Sequence, residues 1–177
     1  MLRCEGLSHE KSFRNINMRL RANEIIGIAG LKGAGRSRFA RALFGLLKVD
    51  GGAIHVDGQK VEIKNPLQAM NAGIGYIPGD RQHEGVALIR NVGENLSITT
   101  LGFFSYFLGV LKLKVITKRA RQMVRNLNVK PPSLKKAVAN LSGGNQQKVM
   151  IGKWLERDLP ILVFDEPTRG VDVKSKA

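Results

Sequence analysis

Cysteine is nearly absent from this 177-residue chain: there is one, Cys4. A lone thiol excludes an internal disulfide framework and fits a reducing compartment. Long apolar runs are missing too. The longest, residues 101–111, is broken by Ser105 and by glycines, and a membrane-spanning helix needs about 20 residues. The opening Met-Leu-Arg-Cys-Glu-Gly carries no apolar signal-peptide stretch. No internal repeat and no low-complexity linker interrupts the chain. His9, His55 and His83 are scattered, without metal-ligand spacing. Acidic residues are the last shortage. Residues 95–155 contain no Asp or Glu, against 11 Lys or Arg. That segment carries most of the formal net charge of +15. Such an excess, by itself, points to an anionic partner such as nucleic acid or a membrane face. Its confinement makes it a property of one segment.

What is present is ordinary for a folded domain. Apolar residues make up 43% and charged residues 24%, which excludes disorder and collagen. Ile16-Asn-Met-Arg-Leu20 alternates as a half-buried strand does. Residues 25–29, Ile-Ile-Gly-Ile-Ala, predict a fully buried strand ended by Gly30. Residues 39–47 have helical spacing. Residues 53–57 and 61–63, turned by Gly58, predict an antiparallel hairpin. Residues 73–77 predict a short strand ended by Pro78-Gly79. An amphipathic helix is expected over 118–127, stopped by Pro131-Pro132, and another over 146–156. Residues 161–164 read as a buried strand running into Asp165-Glu166-Pro167. This order describes an α/β layer with two insertions.

Three motifs carry chemistry. Gly30-Leu-Lys-Gly33-Ala34-Gly35-Arg36-Ser37 lies between a predicted strand and a helix. Glycines there let successive backbone N–H groups face a phosphate, and the helix N-terminus adds its dipole. Ser37 stands where a hydroxyl coordinates Mg²⁺. Arg36 replaces the usual Lys; its charge is kept, but its planar fork is less suited to the transferring phosphoryl group. The alternative is a glycine-rich turn that binds nothing. Asp165 ends a strand, as a Mg²⁺-holding carboxylate does, with Glu166 next to it to orient or deprotonate water. The alternative is an acidic strand cap. Leu141-Ser142-Gly143-Gly144-Asn145-Gln146 precedes a helix and supplies a second anion-binding N-terminus, or an ordinary cap by Ser142 or Asn145.

Taken together, GLKGAGRS, LSGGNQQKV and ILVFDEPTRGVDV resemble the nucleotide-binding domain of an ATP-binding cassette (ABC) transporter. The chain is similar, more narrowly, to the second cassette of the two-cassette ATPases of bacterial monosaccharide importers, of ribose, xylose, galactose and autoinducer-2 type. Arg in the phosphate loop is shared by that subgroup. The resemblance implies an α/β fold: a P-loop nucleoside triphosphatase core over 1–90 and 141–177, with an antiparallel β subdomain, and a helical subdomain inserted at 91–140. It implies ATP and Mg²⁺ as ligands. Gly30, Gly33, Ala34, Gly35, Arg36, Ser37 and Arg38 would bind nucleotide, Ser37 and Asp165 the metal, and Glu166 would be the catalytic base. Leu141 to Gln146 would form the signature loop acting on a partner cassette's nucleotide. Asp80, Arg81 and Asp172 would couple the sites and the transmembrane subunits.

The same resemblance implies its partners: a second cassette, transmembrane permease subunits and, indirectly, a periplasmic sugar-binding protein. Its implied place is peripheral, on the cytoplasmic face of the plasma membrane. Departures accompany the match. No Gln stands in the Tyr76-Ile-Pro-Gly-Asp80-Arg81 loop, Gly79 replaces the usual Glu, and Ser8-His9-Glu10 offers no aromatic for adenine. The chain is expected to stop before the switch residue and the last core strands, leaving an open edge and exposed apolar faces. ATPase activity is implied by the family, but weak turnover is expected here. The alternatives are a non-hydrolysing cassette that presents its signature loop to a partner, and an ABC-type ATPase acting on nucleic acid; the motifs favour transport over the last. Trp154 and Phe13 are expected in the core, and Cys4 as a small buried or edge residue.

Overall fold

The computed structural model describes residues 1–104 and 110–167. They fall into two compact units, residues 1–76 with 159–165, and residues 77–158 with the described residues after 165.

In the first unit, β1 (Leu2–His9) pairs antiparallel with β2 (Phe13–Leu20) and with β3 (Gly51–Val56), and β3 pairs with β4 (Gln59–Val61). Leu2 and Cys4 point inward by strand alternation, and a register shift between Cys4 and Leu7 restores Leu7 to the same buried face. Ile54 and Val56 continue that face. The hairpin expected around Gly58 forms, with Asp57 and Gly58 both at positive φ, as a two-residue turn between twisted strands requires. Helix α1 (Arg36–Leu43) buries Phe39, Ala40, Ala42 and Leu43. It ends earlier than the apolar pattern suggests, because Gly45 takes a left-handed φ of 72°. Phe39 meets Phe13 edge to face, with ring centroids 5.6 Å apart. A short helix α2 (Pro66–Asn71) is capped by Asn65, whose side chain accepts the Gln68 N–H. Strand β5 (Ile74–Ile77) is buried throughout and pairs with β6 (Ile161–Phe164).

Two sequence expectations fail here. Residues 25–29 form no strand: Ile25 is 97% exposed, and Ile26 and Ile28 are exposed too. A β-branched run becomes a buried strand only when neighbours satisfy its N–H and C=O groups on both edges. Among the described residues β5 and β6 pair with each other, and none pairs with 25–29. Strand β6 forms but is only part-buried, with Ile161 inside and Phe164 exposed.

The second unit is helical: α3 (Val92–Ser97), α4 (Leu113–Asn126) and α5 (Gly143–Arg157). Asn91 and Glu94 form a reciprocal capping box at the start of α3. Buried Asn95 ties the preceding loop to α3 through the Ala87 N–H and C=O. Gly152 on α5 makes the close crossing possible: a Cβ there would lie 2.7 Å from Leu96 of α3 and 2.8 Å from Leu127 after α4. Arg119 of α4 pairs with Glu156 of α5, which is buried. Helices α4 and α5 both extend beyond the expected bounds at their N-termini. Trp154, Phe13 and Cys4 are buried, as expected.

Candidate functional site

Residues 30–35 form an irregular loop that feeds α1. Gly33 and Gly35 sit at φ 89° and 87°, which side chains other than glycine rarely adopt. Ala34 N–H donates to Leu31 C=O at 3.1 Å, and Phe39 N–H donates to Gly35 C=O at 2.8 Å, opening the helix. Gly35 is the cap, and the first turn of α1 holds no acidic residue. The helix end therefore keeps its positive partial charge for an anion. The Arg36 side chain runs beside Gly30, its Cδ 3.6 Å from where a Cβ would stand. Arg38 is directed elsewhere: its Nη1 donates to Ser12 Oγ at 2.8 Å, in the β1–β2 turn.

The contact that joins distant sequence is Ser37 to Asp165. Ser37 Oγ donates to Asp165 Oδ1 at 2.7 Å, across 128 positions. The other carboxylate oxygen, Oδ2, accepts from the Tyr76 hydroxyl at 3.0 Å. Tyr76 is buried at the heart of β5 and stacks on Phe44, the C-cap of α1, with centroids 5.5 Å apart. The carboxylate is thus held from both sides by hydroxyls on rigid elements. Sequence reasoning placed Tyr76 in a short strand, at the start of the segment leading to Asp80, and missed this role. All of β5 is buried, Tyr76 included, but no spacing rule pairs it with Asp165. The residues present fit Mg²⁺: a hydroxyl and a carboxylate are hard oxygen donors, two suffice beside water and phosphate, and they already face each other. Among the described residues no group of three His, Cys, Asp or Glu could hold a metal alone. Glu166 follows with a left-handed φ of 47°, a costly conformation for a side-chain-bearing residue.

In the helical unit, Ser142 caps α5 by position, but its side chain accepts no backbone N–H. Its Oγ accepts from Asn145 Nδ2 at 2.8 Å, and Asn145 Oδ1 accepts the Lys130 N–H at 2.8 Å. Gln146 is buried. Its Nε2 donates to the C=O groups of Val138 and Leu141, and its Oε1 accepts from Arg81 Nε at 3.2 Å. Leu141 is also buried, while Gly143 and Gly144 begin the helix. The structure therefore joins the signature-like loop to the Asp80-Arg81 segment. Gln147 adds a link that sequence reading missed: its side-chain amide donates to the Pro167 C=O. Asp80 Oδ1 accepts the N–H groups of Gln82 and His83, and Oδ2 lies 3.0 Å from His83 Nδ1. The His83 backbone bond, then its side chain, holds the exposed Asp80 carboxyl below its ordinary range. Asp172 lies outside the described residues.

A strand-end carboxylate bonded to the serine of a glycine loop, on a mixed α/β frame, defines the fold as that of a P-loop nucleoside triphosphatase. A family model described as "ABC transporter" matches residues 13–169, and the chain belongs to that family. It is 43% identical, over its full length, to "Ribose import ATP-binding protein RbsA 3" of Rubrobacter xylanophilus. It is 44% identical over 176 residues to a "Putative ribose/galactose/methyl galactoside import ATP-binding protein 1" of Burkholderia lata, covering 99% of the chain. The chain spans about a third of the length of these curated relatives, 35% and 34%. Among solved structures, the dimeric MJ0796, a bacterial ABC transporter cassette, matches with a TM-score of 0.80 at 22% identity, covering 99% of this chain and 78% of that one. At that identity the likeness carries the fold. No helix among the described residues is long and apolar enough to cross a membrane.

Proposed function

We propose that this chain is the second ATP-binding cassette of a bacterial monosaccharide importer, binding ATP·Mg²⁺ and coupling nucleotide binding to transport. The observation that carries the reading is the Ser37–Asp165 contact, which unites the two predicted metal-holding residues across the sequence. Import ATP-binding relatives support the transport context. Gly30, Gly33 and Gly35 would turn backbone N–H groups toward phosphate, Ala34 would hold the loop's turn through its N–H bond to the Leu31 C=O, and Arg36 would add charge beside them. Ser37 and Asp165 would hold Mg²⁺, which supplies neutralisation of the phosphate oxygens. Glu166 would orient water. Arg36 in the lysine position favours holding nucleotide over rapid turnover. Ser142, Gly143 and Gly144 would act on the nucleotide of a partner cassette, while Asp80, Arg81 and Asp172 would transmit the state to permease subunits. A periplasmic sugar-binding protein would act through those subunits. The chain would work peripherally, on the cytoplasmic face of the plasma membrane.

The test is a titration of the full chain with a fluorescent ATP analogue, with and without Mg²⁺. Ser37→Ala and Asp165→Asn should each weaken Mg²⁺-dependent binding about 10-fold, the scale expected when a metal site loses one supporting group. Binding that is equally tight in both variants would overturn the assignment.

A further inference from the structure

The acid-free segment has one face that the nucleotide site does not use. Lys114, Lys118, Arg121 and Arg125 lie on α4, and all four are exposed. At 100° per residue they fall within about 60° of arc, in a line about 17 Å long. That line lies opposite Met123 and Ile116, on the side away from the packed residues. Among the described residues no carboxylate pairs with any of the four. The acids on the helices beside α4 are engaged elsewhere: Glu156 with Arg119, and Glu94 with Arg90. Arg125 donates to the neutral side chain of Gln122, so its charge is not cancelled. At the N-terminal end of the stripe, Val110 and Leu113 are 60% and 66% exposed, and Val115 is exposed beside Lys114.

We propose that this outer face of α4 docks on a bilayer surface rich in anionic phospholipid. A row of uncompensated cations is attracted by a negative lipid surface without needing paired geometry, and adjoining apolar side chains can enter the interface. The stripe is linear and exposed along its length. Nucleic acid fits less well. Aromatics next to basic residues would be its stacking platforms, but one ring face of Phe103 and of Phe104 is already taken by the guanidinium groups of Arg157 and Arg119, at 4.7 and 5.1 Å. Nucleotide is not required for this docking, so its failure leaves the reading of the nucleotide site standing.

The experiment is co-sedimentation of the full chain with phosphatidylcholine vesicles, with and without about 30% phosphatidylglycerol, at low salt where charges are not screened. Binding should need the anionic lipid and fall as salt rises. Each cation near a charged surface contributes about 5-fold, so Lys118→Gln with Arg121→Gln should weaken binding about 25-fold. Lys130→Gln with Lys135→Gln removes the same charge away from the stripe and should change binding less than about 3-fold. If the first pair does not fold, judged by its helical spectrum, Lys114→Gln with Arg125→Gln replaces it with the same expectation. Three results would overturn the proposal: no binding to anionic vesicles at low salt, equal losses from stripe and control pairs, or capture by polyglutamate without capture by vesicles.

Discussion

Asp165 is held by two hydroxyls that differ in what they do. Ser37 arrives from the glycine loop and would exchange its contact for a shared metal, whereas Tyr76 is a fixed part of β5. Tyr76→Phe removes only the bond to Oδ2 and keeps the stacking on Phe44. A bond to a charged carboxylate contributes about 1.5–3 kcal/mol. The expected outcome is Mg²⁺-dependent nucleotide binding weakened by about 10-fold or more. Titration at several Mg²⁺ concentrations checks it, beside a thermal melt lowered by several degrees. Lys153 poses a different residue-scale problem. Burial on α5 pushes its ammonium down to about 8, while its Nζ donates to the Gly85 C=O and lies 5.6 Å from the Trp154 ring. Below about 8 the buried charge costs stability in full. Between there and its ordinary 10.5 the folded state releases a proton that the unfolded chain retains, so stability rises with pH. Against Lys153→Met, which lacks the charge, the native chain should gain on the order of 2–3 kcal/mol across that window. Urea unfolding at a series of pH values would measure the difference.

Elements set which substitutions the glycine loop tolerates. Gly33 and Gly35 share a left-handed φ but not surroundings. A Cβ on Gly33 would meet open space, while one on Gly35 would stand 2.3 Å from the Ser12 carbonyl oxygen in the β1–β2 turn. Gly33→Ala should therefore cost only the backbone term, about 1–2 kcal/mol. Gly35→Ala adds a collision with backbone and should cost about 3 kcal/mol or more. Denaturant midpoints of the two variants, compared side by side, test the distinction. Helix boundaries follow similar logic. The Asn91–Glu94 box starts α3 through residues only three apart, whereas α1 ends where Gly45 turns rather than where apolar spacing ends.

At the scale of the whole molecule, the apolar segment after Glu24 stands out. Ile25 and Leu31 are 97% and 85% exposed, with Ile26 and Ile28 between them. A β-branched run that pairs with no strand among the described residues is a template for association between chains. The 177-residue chain should bind a hydrophobic dye and associate as its concentration rises. Ile25→Lys should reduce both and leave the thermal midpoint within about 1 °C, since an exposed side chain contributes little to folding. Light scattering and a melt of the same sample decide it; an unchanged tendency to associate would place the sticky surface elsewhere.

The glycine loop, the strand-end Asp165, the signature-like loop, the β3–β4 hairpin and helices α1, α4 and α5 follow from local pattern. Each rests on spacing within a few residues, where backbone sterics and amphipathic periodicity act. Local pattern also located the positive charge on one segment. Only the tertiary structure brought Ser37 and Tyr76 to the two oxygens of Asp165, tied Gln146 to Arg81, and left the four-cation face of α4 exposed. It also left residues 25–29 outside any sheet. A strand's hydrophobic content is local, but its burial depends on neighbours supplied from distant parts of the chain.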